Sequence, residues 1–193
     1  AAGTAAAIAT REETTPRGIY ESYVNELQQT LMDDDCYLPW QTRKVSKLAQ
    51  HAKLTAEEGD PEPLRNGLDR PIEDQDNGWQ GDLGSWVEYR FNTPQRIRHL
   101  RFTFDSDLDR PEKNQPHYFP LDAESVSVPE PMVRAFRIEA LDDEGSWQIV
   151  AREGNNHQRL VRLDVDVKTE AVRFIPEATW GAPTAHVVAW DVS

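Results

Sequence analysis

Apolar positions change their spacing partway along the chain. Ala1 to Ala9 is a run of mostly small residues, and alanine has the highest intrinsic helix propensity, so a helix is expected there. Thr15 followed by Pro16 reads as a second helix start. A threonine side chain can cap the first turn, and proline suits a position whose amide has no helical partner. Tyr20, Val24, Leu27 and Leu31 then recur at spacings of three and four, which makes one apolar face of an amphipathic helix. This helix is expected to stop near Asp33, Asp34 and Asp35. A weaker helical stretch runs through Val45, Leu48 and Ala49.

From Asp60 the texture is different. Pro61, Pro63, Gly67 and Pro71 punctuate a loop, and Asp76-Asn77-Gly78 marks a turn. Period-two patterns follow: Val87, Tyr89 and Phe91; Leu100, Phe102 and Phe104; Phe136, Ile138 and Ala140; Trp147 and Ile149. Val161 to Val167, Val172 with Phe174, and Val188, Trp190 and Val192 continue them. Each pattern predicts a strand with one buried face. Many short strands separated by turn signals indicate a β-sandwich or jelly roll. The proline-rich stretch from Asp105 to Pro131 reads as a long loop, and such loops in compact domains usually carry function or cover something.

Composition narrows the function. With 34 acidic and 21 basic residues the formal charge is -13, which opposes binding to a nucleic-acid backbone. No apolar run approaches the ~20 residues of a membrane span. The one cysteine, Cys36, excludes an internal disulfide framework and a cysteine-rich zinc site. Its acidic neighbours would raise a thiol pKa, the wrong direction for a nucleophile. No Gly-x-Ser-x-Gly and no His-x-x-x-His occurs, so an autonomous active site is not expected. The chain starts at Ala1 rather than Met, and is expected to continue a longer protein.

Two resemblances follow. Ala1-Ala2-Gly3-Thr4-Ala5-Ala6-Ala7, Pro16, Leu27-Gln28-Gln29-Thr30-Leu31 and Asp35-Cys36-Tyr37 resemble, in order, the C-terminal end of the flavin domain in a family of FAD-dependent oxidoreductases. The resemblance implies that Ala1, Ala2, Gly3 and Thr4 lie nearest FAD. Small residues let a backbone approach a ligand closely, and a helix N-terminus favours negative charge. The dinucleotide fingerprint Gly-x-Gly-x-x-Gly is missing, so this chain alone should not hold FAD. Asn66 to Pro71, Asn77-Gly78-Trp79, Trp86 to Phe91, Ile97 to Asp105, Phe136 to Glu139, Gly145-Ser146-Trp147 and Val188 to Val192 resemble a discoidin-type (coagulation factor type C) domain. That resemblance implies a mainly β, galactose-binding-like jelly-roll β-sandwich preceded by a short helical segment. Residues 1–58 would be the helical remnant and linker, and 59–193 the sandwich.

The sandwich resemblance also implies a structural Ca2+ near the first loop, where Asp69, Asp74 and Asp76 offer hard oxygen ligands. A carbohydrate ligand would use loop aromatics, namely Trp79, His117, Tyr118 and Trp180, whereas Trp86, Trp147 and Trp190 on strand patterns are expected in the core. Three readings stay open. The chain is an accessory, non-catalytic module partnered with the upstream flavin-binding domain of the same protein, or a free-standing carbohydrate-binding module, or a structural module for domain contact. The last predicts an exposed apolar patch near Ala1 to Leu31, through which a homodimer could form.

Overall fold

The computed structural model describes residues 1–72, 77–108 and 128–193. Helix α1 (Ala2–Arg11) buries only Ile8. Thr15 caps the next helical stretch as expected, its hydroxyl accepting from the Gly18 amide at 3.2 Å. That stretch begins as α2 (Pro16–Gly18), widens into a π turn over Ile19–Tyr23 and continues as α3 (Val24–Asp33). The wide turn corrects the sequence reading. It inserts a residue into the helical repeat, so Ile19 faces inward while Tyr20 is 75% exposed. Ile8, Ile19 and Leu31 are all buried. Within Ala1 to Leu31 the exposed apolar side chains are Tyr20 and the small Ala1, Ala2, Ala6 and Ala7, which give no support for a homodimer.

A short helix, α4 (Lys47–His51), is capped by Ser46 and leads into β1 (Lys53–Ala56). The sheet thus begins before residue 59. It continues through β2 (Trp79–Asp82), β3 (Val87–Phe104), β4 (Val133–Leu141), β5 (Trp147–Glu153), β6 (Leu160–Thr179) and β7 (Thr184–Val192). All pairs are antiparallel, in the order β2-β7-β3-β6-β4-β5, with β1 added to the first part of β3. The two long strands turn the corner of the sandwich. The start of β3 pairs with β1 and β6 and its end with β7 and β6, across register shifts at Arg90/Gln95 and Ile97/His99. Such bulges bend a strand from one layer into the other.

Between the layers lie Tyr89, Phe102, Phe104, Phe136, Phe174 and Trp190, each at most 1% exposed. Their rings approach at tilted and stacked angles, with centroids from 4.6 Å (Tyr89–Trp190) to 6.3 Å (Phe174–Trp190). This is the geometry aromatic quadrupoles favour.

Three strand expectations are corrected. A bulge between Ile138 and Glu139 sets Ile149 opposite Glu139 on the outer face, 55% exposed. A one-residue shift exchanges the two faces of a strand. Trp86 and Trp147 are half-buried on the outside, not in the core. Between them they clamp the Arg173 guanidinium, 4.3 and 3.9 Å from their ring centres. β7 is buried on both faces, because the N-terminal segment covers its outer side. Asp191 accepts from Arg43 Nη1 (2.8 Å) and from the Ser46 amide (3.1 Å), and Ser46 Oγ donates to the Val192 carbonyl (2.5 Å).

Candidate functional site: a cleft between the helical segment and the sandwich

The C-terminal end of α3 is tied to the sandwich by arginines. Arg101 on β3 donates to the Asp33 carbonyl at 2.9 and 3.1 Å, and Arg162 on β6 donates to it at 2.7 Å. A helix leaves its last carbonyls without partners, and here side chains from two strands supply them. The chain then reverses through Asp35, whose φ is 63°. Arg159 donates to Asp35 Oδ2 at 2.8 Å and also to the Asp69 carbonyl. Arg70 donates to the Asp35 carbonyl at 3.0 Å, and its guanidinium lies 4.9 Å over the Tyr37 ring.

These contacts leave a cleft of about 660 Å3. One wall is Asp35 to Thr42, the other Gly67 to Ile72, with Leu108 at the rim. Trp40 stands on the first wall at φ 61° and is 99% exposed. A left-handed conformation is an outlier for a bulky residue. Tyr37 is 51% exposed and Leu108 44%. The walls meet tightly at Gly67, which has φ 82° and whose carbonyl accepts from the Arg43 amide at 2.9 Å. A Cβ there would collide with the Arg43 carbonyl, so glycine is required.

Below the cleft lies a buried ionic network. Asp69 sits between Arg43 (Nε to Oδ2, 3.1 Å) and Arg101 (Nη2 to Oδ2, 2.8 Å). Burial pushes both guanidinium groups down. For Arg43 the charges of Asp69 and Asp191 outweigh it and its pKa rises; for Arg101 burial prevails, helped by the like charge of Arg43, and its pKa falls. Both stay cationic, as arginine does in proteins. Two cleft residues keep a buried polar atom without a hydrogen-bond partner: Arg43 Nη2 and Asp35 Oδ1, the latter 3.5 Å from Arg70 Nη2. One is a donor and the other an acceptor.

The sequence-derived candidates fall elsewhere. Trp79 belongs to β2, not a loop; it is 1% exposed and its indole donates to the Glu58 carbonyl at 2.8 Å, so it is a core residue. Trp180 follows β6 and is half-buried. Its indole donates to the Asn156 carbonyl at 2.7 Å, His157 lies against its ring at 4.7 Å, and Arg134 lies 5.6 Å over it. His117 and Tyr118 lie outside the described residues, as do Asp74 and Asp76. Asp69 is already neutralised by two arginines, and among the described residues no three His, Cys, Asp or Glu side chains come together as metal ligands. Ala1, Ala2 and Gly3 are exposed at the start of α1, Thr4 is half-buried, and a Cβ at Gly3 would meet nothing. Tyr37, Trp40, Arg43 and Arg70 escaped the sequence reading. The available signal was an aromatic pair around a proline immediately after an acidic triplet.

No family model matches the chain, and no curated protein matches it. Its fold, however, is found among solved structures. The family 32 carbohydrate-binding module from Streptococcus pneumoniae EndoD superposes with a TM-score of 0.55 at 13% identity, over 77% of this chain and 99% of that one. The family 32 module of Clostridium perfringens NanJ, in complex with galactose, gives 0.54 at 10% identity, over 77% and 97%. CpGH89CBM32-5 from Clostridium perfringens, in complex with GalNAc-β-1,3-galactose, gives 0.53 at 13%, over 76% and 99%. At these identities the likeness is one of fold. The chain is mainly β, a galactose-binding-like, discoidin-like β-sandwich of the kind seen in family 32 modules, behind a short helical segment. No helix among the described residues is long and apolar enough to cross a membrane.

Proposed function

We propose that this chain is a non-catalytic module that binds carbohydrate in the cleft between its helical segment and its sandwich. The observation that carries the reading is the cleft's wall chemistry: the exposed side chains of Trp40 and Tyr37 beside Asp35 and Arg70. A pyranose has one face of C–H groups, which packs on an aromatic ring, and an edge of hydroxyls that both donate and accept. A carboxylate beside a guanidinium answers that edge. Two of the solved structures with this fold hold galactose or a galactose-containing disaccharide, and that supports the reading. Titration calorimetry with galactose and N-acetylgalactosamine tests it. Saturable binding is expected for the native chain, with loss of at least tenfold in affinity in Trp40→Ala and an unchanged melting temperature. Equal affinity in that variant would remove the cleft from consideration, and Trp180 would be the next residue to change.

The module is further proposed to be the C-terminal accessory part of an FAD-dependent oxidoreductase, packed on its flavin domain. The support is the order of elements from Ala1 to Tyr37 together with the open, small-residue start of α1. FAD would belong to the upstream domain, with Ala1, Ala2, Gly3 and Thr4 nearest to it. The visible absorption spectrum of the native gene product, purified with everything upstream of Ala1, tests this part separately. A flavin band that bleaches on reduction supports it. A colourless protein that releases no flavin on denaturation rejects it and leaves a free-standing binding module.

A further inference from the structure

Two arginines line the cleft, and they differ in what they can still offer a ligand. The Arg43 side chain is 4% exposed. It commits Nε to Asp69 and Nη1 to Asp191, and its Nη2 is buried out of a ligand's reach. The Arg70 side chain is 25% exposed. Its Nη2 donates to the Asp35 carbonyl at 3.0 Å and stands 3.5 Å from Asp35 Oδ1. Among the described residues no acceptor meets its Nε or Nη1. A guanidinium can only donate, so the N–H groups on Nε and Nη1 are open to a ligand or to water.

This guanidinium is also held in place. It lies 4.9 Å over the Tyr37 ring, and the Asp35 carbonyl fixes its Nη2 end. Arg70 belongs to one wall of the cleft, while Tyr37 and Asp35 belong to the other. Its charged end therefore crosses to the wall that carries Trp40. A guanidinium already stacked on a ring loses little further freedom when a ligand binds. The acidic residues of the lining, Asp35 and Asp69, have guanidinium partners besides Arg70. Arg159 donates to Asp35 Oδ2 at 2.8 Å, and Asp69 sits between Arg43 and Arg101. The counterpart of the open donors on Arg70 is an anionic acceptor, because charge-assisted bonds are about twice as strong as neutral ones.

We infer that Arg70 makes the cleft selective for sugars that bear a carboxylate, the hexuronic acids. This rests on the carbohydrate reading of the cleft and names the sugar class within it. Arg70 covers one face of Tyr37, so the C–H face of the sugar packs on the exposed Trp40 side chain. The carboxylate at the edge of the ring then accepts from Arg70. A neutral hexose carries a hydroxymethyl group at the same carbon. It has nearly the same shape but no charge to offer the guanidinium.

Titration calorimetry on the whole chain at about pH 7, where a uronic acid is ionised, compares galacturonate, its methyl ester and galactose. The ester keeps the shape of galacturonate and removes its charge. Galacturonate is expected to bind about tenfold more tightly than either neutral sugar. In Arg70→Gln its affinity should fall to that of galactose, while galactose itself changes by less than about threefold. Galactose or the ester binding the native chain as tightly as galacturonate overturns the inference and leaves the carbohydrate reading standing. So does a preference for galacturonate that survives in Arg70→Gln. Tighter binding of galactose 6-sulfate than of galacturonate overturns the choice of a carboxylate. Binding of none of these sugars removes the carbohydrate reading and the inference with it. Arg70→Gln also gives up a tie between the two walls. If that variant loses the native melting temperature, the comparison of the acid with its ester on the native chain decides alone.

Discussion

The aromatic core of the sandwich and the ionic junction beneath the cleft are both buried, and they are built from opposite chemistry. Around Phe102 the contacts are ring on ring with no polar atom involved. Around Asp69 nearly every contact is a charge-assisted hydrogen bond between segments far apart in sequence. Apolar burial is non-directional and tolerates repacking. A buried charge tolerates no missing partner, because desolvation is then left uncompensated. The core therefore holds the fold together, while the junction fixes where the cleft walls stand.

Mutation can break that contrast or sharpen it. The largest effect is expected from Phe102→Ala, which empties a fully buried site; it should cost about 3–5 kcal/mol in urea unfolding. A loss under about 1 kcal/mol would mean that the core is not the main source of stability. Next comes Asp69→Asn, which leaves Arg43 and Arg101 facing each other without their shared counter-charge. About 3 kcal/mol should be lost, and crystallography of the variant should show the two cleft walls displaced. An unchanged cleft would show that the junction does not position it.

Acid supplies the third comparison. Asp105 is held below its ordinary value in the folded chain. Its contribution is present above the unfolded value of about 3.9 and is lost as pH falls through the folded one. Asp105→Asn should therefore flatten the melting-temperature profile below about pH 4, whereas Phe102→Ala should shift it without changing its slope. The smallest effect is expected from Arg162→Ala. Its side chain is 46% exposed, so about 0.5 kcal/mol is at stake. Limited proteolysis should nonetheless find the end of α3 easier to cut.

Legibility in the sequence follows the same division. Strands with one wet face announced themselves by alternation, as at Val87, Tyr89 and Phe91. β5 was misread because its alternation does not show the bulge it carries at Val150, the extra residue between the pairs Ile138–Ala151 and Glu139–Ile149. β7 was misread because the cover on its outer face comes from Arg43 and Ser46, more than a hundred positions earlier. Tyr20 was misplaced by the π turn, which keeps the helical periodicity and shifts its phase. The cleft was hardest to see. Its walls meet through Gly67 and Arg43, and its floor joins Asp33, Asp69, Arg101 and Asp191. No local spacing encodes a convergence of that kind. Trp79 misled for a simpler reason: a turn signal on one side hid the strand that begins at the residue itself.

The arginine caps on α3 also bear on how the chain reaches its native state. The helix is finished by side chains at Arg101 and Arg162, 68 and 129 positions beyond Asp33. Synthesis proceeds from the N-terminus, so α3 emerges long before either cap exists. Contacts this distant in sequence close late and slow folding. The end of α3 is therefore expected to dock on the sandwich only after β6 has left the ribosome.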